Sequence, residues 1–351
     1  MRERKMIDTL KQGILAAVMT AASIVSHAAV NAPSWTVVDI GTLGGPGSYG
    51  AAVSDAGYVV GCADLAGGAA HAFLYDGQMH DLGTGGGDAD GSSCALAVND
   101  RAVAAGRSSS GDLVVWSGTS VAPIGVKGTV GGINDFNVVV GSAIASGSTR
   151  AFVYANGQLT TIGGDAAGEA TAVNLQGQVT GTLSGHAFLY TNGATQDLGT
   201  LGGFSGAKGL DDLGRVVGMS TDSNGTPYPF LWSKGAMQAM PGPSGSGAID
   251  IDDAGLVIGS AEGTYGYYLD GGTYTRLDTL PAVVAKGWRH LEPTGVNNRG
   301  WIVGTATDGA GNLRAFLLVP SRPAAMTAVE MSVAPAQAGS RSSGPGQSRD
   351  D

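Results

Sequence analysis

The chain has 351 residues, of which 60 are glycine and 43% are apolar, and its formal net charge is −10 at pH 7. A glycine share more than double the usual value of about 7%, with ordinary apolar content, favours many short strands joined by tight turns over helices or a disordered chain. Because the chain is acidic and has no run of Lys or Arg, we expect no binding to nucleic acid or to an anionic membrane surface.

Residues 1–28 are typical of an export signal. Basic residues within the first eleven positions precede an apolar stretch at 13–25, and Ser26-His27-Ala28 forms a small-residue cleavage site. The apolar stretch is shorter than the roughly 20 residues that cross a bilayer, so we expect no membrane span. The sequence therefore predicts cleavage near Ala28 and a secreted or periplasmic protein.

A nine-residue phrase recurs in the rest of the chain. In it an apolar residue precedes Asn, Asp or Ser, then a turn, then a largely apolar pair and a glycine. The copies begin 35 to 45 residues apart, which is the size of a four-stranded propeller blade. They are VSDAGYVVG from Val53, VNDRAVAAG from Val98, INDFNVVVG from Ile133, VNLQGQVTG from Val173, LDDLGRVVG from Leu210, IDDAGLVIG from Ile251 and VNNRGWIVG from Val296.

Each copy supplies two strands, and a third apolar segment follows, such as HAFLYDG from His71; most repeats add a fourth, such as MHDLG from Met79. Gly or Asn-Gly between apolar runs is a hairpin signal, because turns with positive φ match the twist of the strands. Each repeat is therefore predicted to be a four-stranded antiparallel meander. A phenylalanine recurs in the third strand, at Phe73, Phe152, Phe188, Phe230 and Phe316, and we expect these rings to form the core.

The two ends of the repeat region are complementary. The last repeat stops after its third strand at Val319, whereas TVVDIGTLGG from Thr36 matches a fourth strand such as TQDLGTLGG from Thr195. We predict that the N-terminal strand completes the last blade and closes residues 29–320 into an all-β, seven-bladed β-propeller. The alternative is an open solenoid, which needs capping repeats at both ends. The polar segment 321–351 is predicted to be a disordered tail.

Two cysteines, Cys62 and Cys94, belong to a chain predicted to reach an oxidising compartment. A disulfide between them is the expected outcome, and two separately buried thiols are the alternative. Small residues in the first strands, such as Ala51, Ala52 and Ala95, suit a crowded inner edge where blades converge.

The segments HAFLY, DLGTLGG, VNDRAV and INDFNVVVG resemble the HAF-repeat family of extracellular bacterial proteins. The resemblance covers about residues 36–320, and it is weakest in the second and sixth copies, which carry VVW and YYL in place of AFLY. It implies export and a β-repeat fold. It supplies no activity, cofactor or site residue.

No catalytic or metal-binding residue and no cofactor is predicted. The glycine-rich segment 45–50 fits a dinucleotide pattern, but no helical pattern follows it. His71 and His186 occupy the same slot in two repeats, which explains them without catalysis. Three oxygen-rich loop clusters lack the glutamate that completes a calcium loop. The aspartates of the recurring phrase are interpreted as residues that cap β-turns, at Asp55, Asp100, Asp135, Asp212 and Asp253.

Connection lengths indicate where a ligand would bind. The first-to-second and third-to-fourth connections are nearly constant, whereas the other two vary, and a meander places the two variable connections on one face. The longest insertion, LPAVVAKGWRHLEP from Leu280, is an aromatic and charged segment suited to a sugar or protein contact, unless its tryptophan plugs the channel or packs under its own loop. The candidate ligand-binding residues on this face are Asp88, Asp90, Trp288, Arg289, His290 and Glu292.

The sequence therefore favours a monomeric, non-enzymatic binding or scaffold protein with a glycan or protein ligand. A polysaccharide-directed hydrolase or lyase is the alternative, because propellers host such chemistry too. Its signature would be a convergent set of carboxylates, and the sequence alone reveals none. A purely structural envelope protein is the third possibility.

Overall fold

The computed structural model describes residues 34–86, 91–145, 147–261 and 264–321. The export signal, the segment with Asp88 and Asp90, and all of the predicted tail but Ser321 lie outside these ranges. The described residues form short strands, one 3₁₀ turn (Leu277–Thr279) and one helix, α1 (Pro281–Lys286). The strands are β1 (Ser34–Gly41), β2 (Gly44–Val53), β3 (Val59–Leu65), β4 (Ala70–Tyr75), β5 (Met79–Asp81), β6 (Cys94–Val98), β7 (Val103–Arg107), β8 (Asp112–Ser117), β9 (Ser120–Ile133), β10 (Val139–Ala145), β11 (Ser148–Ala155), β12 (Gln158–Thr161), β13 (Gly168–Val173), β14 (Val179–Leu183), β15 (His186–Thr191), β16 (Ala194–Asp197), β17 (Ser205–Leu210), β18 (Val216–Thr221), β19 (Pro227–Ser233), β20 (Ala236–Ala239), β21 (Ser246–Ile251), β22 (Val257–Ala261), β23 (Tyr265–Asp270), β24 (Thr273–Arg276), β25 (Arg289–Val296), β26 (Ile302–Thr307) and β27 (Leu313–Ser321).

The strands pair in chain order as four-stranded antiparallel meanders. Separate sheets contain β2 to β5, β13 to β16, β17 to β20 and β21 to β24. Strands β6 to β12 form one seven-stranded sheet, because β9 is 14 residues long and serves two repeats, pairing with β8 and with β10. Gly125 and Gly128, both with positive φ, let this strand bend where other repeats have a loop.

The N-terminal strand lies in the sheet of the last repeat, where the strand order is β1-β27-β26-β25. Trp35 and Val37 of β1 pack in one core cluster with Phe316 and Leu318 of β27. The first strand of the chain thus supplies the fourth strand that the last repeat lacks.

The recurring phenylalanines lie in the core, as predicted, and each is 2% exposed or less. Burial of each ring contributes about 1.5 to 3 kcal/mol. The glycine that ends the recurring phrase faces this ring across the sheet, for example Gly61 opposite Phe73 and Gly141 opposite Phe152. A Cβ atom at Gly61 would strike the Tyr49 carbonyl oxygen and the Phe73 ring, so the phrase requires glycine here.

Cys62 of β3 and Cys94 of β6 form a disulfide with a Cα–Cα distance of 4.7 Å. The prediction of this bond is confirmed, and the alternative of two free thiols is wrong. The bond joins neighbouring sheets across 32 residues of chain.

The insertion from Leu280 contains a short helix. Pro281 begins α1, and Gly287 ends it with φ 68°, which are the positions that proline and glycine favour at helix ends. Trp288 follows at 7% exposure and belongs to the core cluster of Leu280 and Val283. The tryptophan therefore packs under its own loop, one of the alternatives that the sequence leaves open.

Each meander has two ends. We call the end with the first-to-second and third-to-fourth strand turns the turn end, and the end with the variable connections the loop end. Because successive strands of a meander run in opposite directions, β2 ends at the turn end, where Val53 lies. Tyr49 is near the middle of β2 and so lies towards the loop end.

Candidate functional site

The turns between the first and second strands of all seven repeats line one cavity of about 220 Å³, which we call the turn cavity. Each turn contributes residues from the polar pair that opens it. Those that line the cavity are Ser54, Asp55, Asn99, Asp100, Asn134, Asp135, Asn174, Leu175, Asp211, Asp212, Asp253, Asn297 and Asn298.

The first residue of each pair is buried and organises the turn. Asn99 Oδ1 accepts the backbone N–H groups of Arg101 (3.0 Å) and Val103 (3.1 Å), while its Nδ2 donates to the Asn134 carbonyl oxygen of the next repeat (3.0 Å). Equivalent amide donations run from Asn134 to Asn174 and from Asn297 of the last repeat to Ser54 of the first (2.7 Å). Each such asparagine caps its own turn and latches it to the next.

The aspartates at the second position bind backbone N–H groups of β-turns, but of a neighbouring turn and not their own. Their carboxylates accept the backbone N–H of a residue in the preceding turn. Asp135 Oδ1 accepts from Asp100 (2.9 Å), Asp253 Oδ1 from Asp212 (2.9 Å) and Asp55 Oδ1 from Asn298 (2.6 Å).

The structure also brings together the convergent carboxylates that the sequence did not reveal. Seven aspartates line the turn cavity, and five of them, from five repeats, occupy the second position of the pair: Asp55, Asp100, Asp135, Asp212 and Asp253. A signal was present in the sequence, because the second position of the pair is Asp in five of the seven copies. What the sequence could not supply is that these positions face a common space.

Burial is the main cause that raises the pKa values of two of these carboxylates, Asp55 and Asp212. The charges of Asp100 and Asp253 raise the pKa of Asp55 further, against hydrogen bonds from Asn298 that lower it, and the charge of Asp253 also raises the pKa of Asp212. Burial raises the pKa of Asp250, deeper in the cavity wall, to about 7, although its oxygens accept the N–H groups of Ile251 (2.9 Å) and Val296 (3.0 Å). The negative charge of this cavity is therefore only partly compensated by the protein.

A channel lined by the first strands adjoins the turn cavity. A second cavity of about 270 Å³ shares Asp250 with the turn cavity, and its walls include the small residues Ala51 and Ala52. A third of about 250 Å³ shares Lys208 with the second and also contacts Glu169. Lys208 Nζ donates to Glu169 Oε1 at 2.9 Å. The channel therefore leads from the turn end towards the loop end.

The predicted ligand-binding residues at the loop end have different fates. Asp88 and Asp90 lie outside the described residues, and Trp288 offers little ring surface, with Lys286 Nζ 5.6 Å from its ring centre. The other three predicted ligand-binding residues, Arg289, His290 and Glu292, are exposed at the start of β25.

Tyr49 is a loop-end residue that the sequence did not single out. Its ring is 42% exposed, and its pKa is raised by burial and then by the charge of Glu292. The structure thus brings Tyr49 of the first repeat close to Glu292 of the last. Because 243 residues separate the two in the chain, only the position of the first repeat beside the last could reveal that they lie near each other.

The histidines behave as repeat residues. His71 Nδ1 lies 3.0 Å from Asp81, and His186 Nδ1 lies 2.8 Å from Asp197 in the equivalent place. The loop aspartate Asp222 accepts backbone N–H groups of its own loop. Across the described ranges, no three His, Cys, Asp or Glu side chains are grouped so as to hold a metal ion. The same ranges contain no helix with the length and apolarity that a membrane crossing demands.

Comparison with known proteins identifies the fold. No family model matches the chain, and no curated protein matches it significantly. Among solved structures, the WD40 β-propeller domain of Doa1 has a TM-score of 0.50 at 14% identity, covering 82% of this chain and 98% of that one. A mutant Aleuria aurantia lectin in complex with α-methyl-L-fucoside (TM-score 0.34, 10% identity, 83% and 97% coverage) and YCF48 bound to D1 peptide (0.35, 12%, 84% and 97%) are also similar. The first of these likenesses, together with the repeated antiparallel sheets, identifies the chain as a β-propeller.

Proposed function

We propose that the chain is a closed seven-bladed propeller that acts as a secreted or periplasmic, monomeric binding protein. Closure is supported by the position of β1 in the last sheet and by hydrogen bonds that continue from the last repeat to the first. The Gly50 N–H also donates to Thr305 Oγ1 (3.3 Å), and Thr294 Oγ1 donates to the Gly50 carbonyl oxygen (2.9 Å). The repeated motifs support membership of the HAF-repeat family.

Export is supported by the disulfide, since such bonds persist in oxidising compartments. The export signal at residues 1–28 belongs to the same proposal. A rigid, cross-linked ring in that setting is suited to presenting loops to a ligand outside the cytoplasm.

The ligand surface that we propose lies at the loop end, where the first and last repeats meet. The observation that carries it is the exposed Tyr49 ring beside Glu292. Arg289 and His290 are exposed on the same strand as Glu292. An aromatic face with a polar tip, next to charged groups, suits stacking on a sugar or contact with a protein. Trp288, buried beneath, supports the insertion that carries these residues.

The convergent carboxylates favour a second candidate, a polysaccharide-directed hydrolase or lyase. Asp250, with a pKa of about 7, lies in the same cavity as other aspartates, and two carboxyl groups in different environments are what glycoside hydrolysis uses. The Asp250 oxygens, however, are held by backbone N–H groups. That arrangement favours binding over proton transfer to a substrate.

A glycan array probed with the purified chain tests the loop-end site, and a reducing-sugar release assay on the bound glycans tests the enzyme alternative. We expect Tyr49→Ala and Glu292→Gln each to weaken binding about tenfold, as expected for loss of one central aromatic or charged contact. Phe136→Ala is the matched control, because Phe136 is an aromatic residue 67% exposed in a turn at the opposite end. Unchanged binding in both loop-end variants, with loss in the control, would reverse the assignment of ends.

A further inference from the structure

We propose that the turn cavity is a second binding site, which takes the primary ammonium group of an organic cation. This site lies at the opposite end of the strands from Tyr49 and Glu292 and is independent of the loop-end ligand. It is formed by Ser54 and Asp100, with Asp212 and Asp253 in the negative wall. Asp55 adds its charge to that wall, while its Oδ1 and Oδ2 accept the backbone N–H and the Nδ2 of Asn298 (2.6 and 2.8 Å).

The fold does not require the charge of the cavity aspartates. In the last repeat the same position is Asn298, whose Oδ1 accepts the Asp253 N–H at 2.8 Å, as aspartate does elsewhere. In the fourth repeat the position is Leu175, which has no side-chain acceptor at all. An amide therefore meets the structural requirement, yet five of the seven repeats carry a carboxylate. Mutual repulsion among these carboxylates costs stability that an opposite charge would restore.

Two arginines close to the cavity, Arg215 and Arg299, have partners other than the second-position carboxylates of the cavity. Arg215 pairs with Asp211 through Nε, and its Nη2 donates to the carbonyl oxygens of Asp252 (3.2 Å) and Asp253 (3.0 Å). Its guanidinium is thereby fixed to one turn. Arg299 lies over the Trp301 ring, 5.4 Å from its centre.

Ser54 is the second, independent observation. It lines the cavity and is 6% exposed, and its hydroxyl has no hydrogen-bond partner among the described residues. At the equivalent place Asn99 and Asn134 use their amides to latch the next turn, and the shorter serine cannot reach. A buried, unpaired hydroxyl costs about 1 to 3 kcal/mol, and a bound N–H donor would pair it. The neighbouring Asp100 carboxylate accepts only the Ala56 N–H among the bonds seen here, at 2.6 Å.

The geometry selects an ammonium over other cations. The carboxylates are not grouped to coordinate a metal ion within the described residues. Asp100, Asp135 and Asp253 each use Oδ1 for a backbone N–H, so they do not offer the paired oxygens that a guanidinium fork requires. An ammonium is a compact charge with three separate donors. The cavity of about 220 Å³ has room for an alkylammonium group.

Calorimetric titration of the full chain tests the proposal. The probes are 1,4-diaminobutane, an N-terminally acetylated lysine-containing tripeptide and the same blocked peptide with its lysine also acetylated, with sodium and calcium chloride at matched ionic strength. We expect one or both amine probes to bind and the lysine-acetylated peptide and inorganic cations not to. Binding of the diamine identifies a free amine as the ligand type, whereas binding of the lysine peptide alone identifies a side chain presented by a protein.

The variants are Asp100→Asn, which retains an acceptor for the Ala56 N–H, and Ser54→Ala, which removes no contact within the described residues. We expect about tenfold weaker amine binding from the first and a smaller loss from the second. Asp270→Asn is the matched control, because Asp270 is exposed at the turn end but outside the cavity. Equal binding of the lysine-acetylated peptide, calcium binding in place of amines, or unchanged affinity in both cavity variants would overturn the proposal. Because Tyr49→Ala leaves this cavity intact, amine binding and loop-end binding can fail separately.

Discussion

The aspartates at the two ends of the strands have opposite electrostatic environments. At the loop end, Asp308 accepts the backbone N–H groups of Ala310 (2.9 Å) and Asn312 (2.8 Å) and pairs with Arg314, and these donors lower its pKa to about 2. At the turn end, burial and neighbouring carboxylates raise the pKa values of Asp55 and Asp212. The charged form of aspartate is therefore stabilised in a loop-end connection and destabilised in the turns at the other end.

The difference shows which carboxylates have their charge stabilised by hydrogen bonds within the fold. The donors around Asp308 belong to its own loop, so its charge stabilises that loop and is not available to a ligand. The aspartates of the turn cavity share their space with like charges, and their structural role is performed equally well by Asn298. Uncompensated charge that the fold does not need is a reason to look for a ligand there.

Both ends depend on the completed last sheet, so loss of β1 from that sheet should have the largest effect on stability. Deleting residues 36–43 removes most of β1 and exposes the edge of β27, so we expect aggregation or loss of cooperative unfolding. Trimming residues 324–351 is the control and should leave the unfolding transition unchanged. Chemical denaturation measures the effect. If the variant without residues 36–43 still unfolds cooperatively, β1 is dispensable.

At the loop end, the strongest single cross-link is the disulfide. Replacing Cys62 and Cys94 together with serine reopens a 32-residue loop, which in the chain-entropy model costs roughly 3.5 kcal/mol of unfolding free energy. Urea denaturation of the oxidised wild type and the double variant measures this. A loss below about 1 kcal/mol would show that the contacts between these neighbouring sheets suffice without the bond.

At the turn end, the corresponding cross-link is the asparagine latch. Asn134→Ala leaves the N–H groups of Phe136 and Val138 and the carbonyl oxygen of Asn174 without their partner, and we expect a loss of about 3 kcal/mol. Asn224→Ala, in an exposed loop, is the matched control and should change stability by less than about 0.5 kcal/mol. Denaturation experiments measure both free energies of unfolding. If the two substitutions lower stability equally, the asparagine latch does not stabilise the turn end.

A smaller effect is expected from pH. The pKa of Asp250 is about 7 in the fold against 3.8 ordinarily, so its contribution to stability is fully present below pH 3.8 and is lost as the pH rises through 7. We expect a decline on the order of 2 kcal/mol, since the residue retains some access to the channel. Asp308 has the opposite sign, because its contribution is present above 3.8 and is lost as the pH falls through about 2.

Asp250→Asn separates this contribution from others. The variant should be less stable than the wild type at pH 5, because one amide cannot accept both N–H groups, but its decline between pH 4 and 8 should be shallower. An unchanged slope in thermal unfolding across this range would show that Asp250 is not the group responsible.

Much of the fold follows from the sequence, because repetition multiplies a weak signal. The repeats predict the strands, the buried phenylalanines and the placement of β1, and two cysteines in a chain with a predicted export signal predict the disulfide. The sequence did not predict that β9 runs without interruption through two repeats. Glycine usually indicates a turn, whereas the glycines in β9 only bend the strand. The helix α1 interrupts a segment that periodicity treats only as an insertion.

The candidate sites were harder to predict for a different reason. Asp55 and Asp253 are 198 residues apart in the chain, and their proximity depends on how the repeats are arranged around a common space. Tyr49 and Glu292 likewise meet only because the first and last repeats adjoin. A local pattern shows which residue occupies a turn but not which other turns face it.

Carboxyl-carbon NMR titration of the aspartates tests the contrast between the ends most directly. We predict that Asp55, Asp212 and Asp250 titrate above 3.8, with Asp250 near 7, and that Asp308 titrates near 2. Adding 1,4-diaminobutane, but not sodium chloride at the same ionic strength, should lower the pKa of Asp55 and Asp212, because a bound cation favours their charged form, and should leave Asp308 unchanged. Titration of Asp55, Asp212 and Asp250 at or below 3.8 without the diamine would contradict the account.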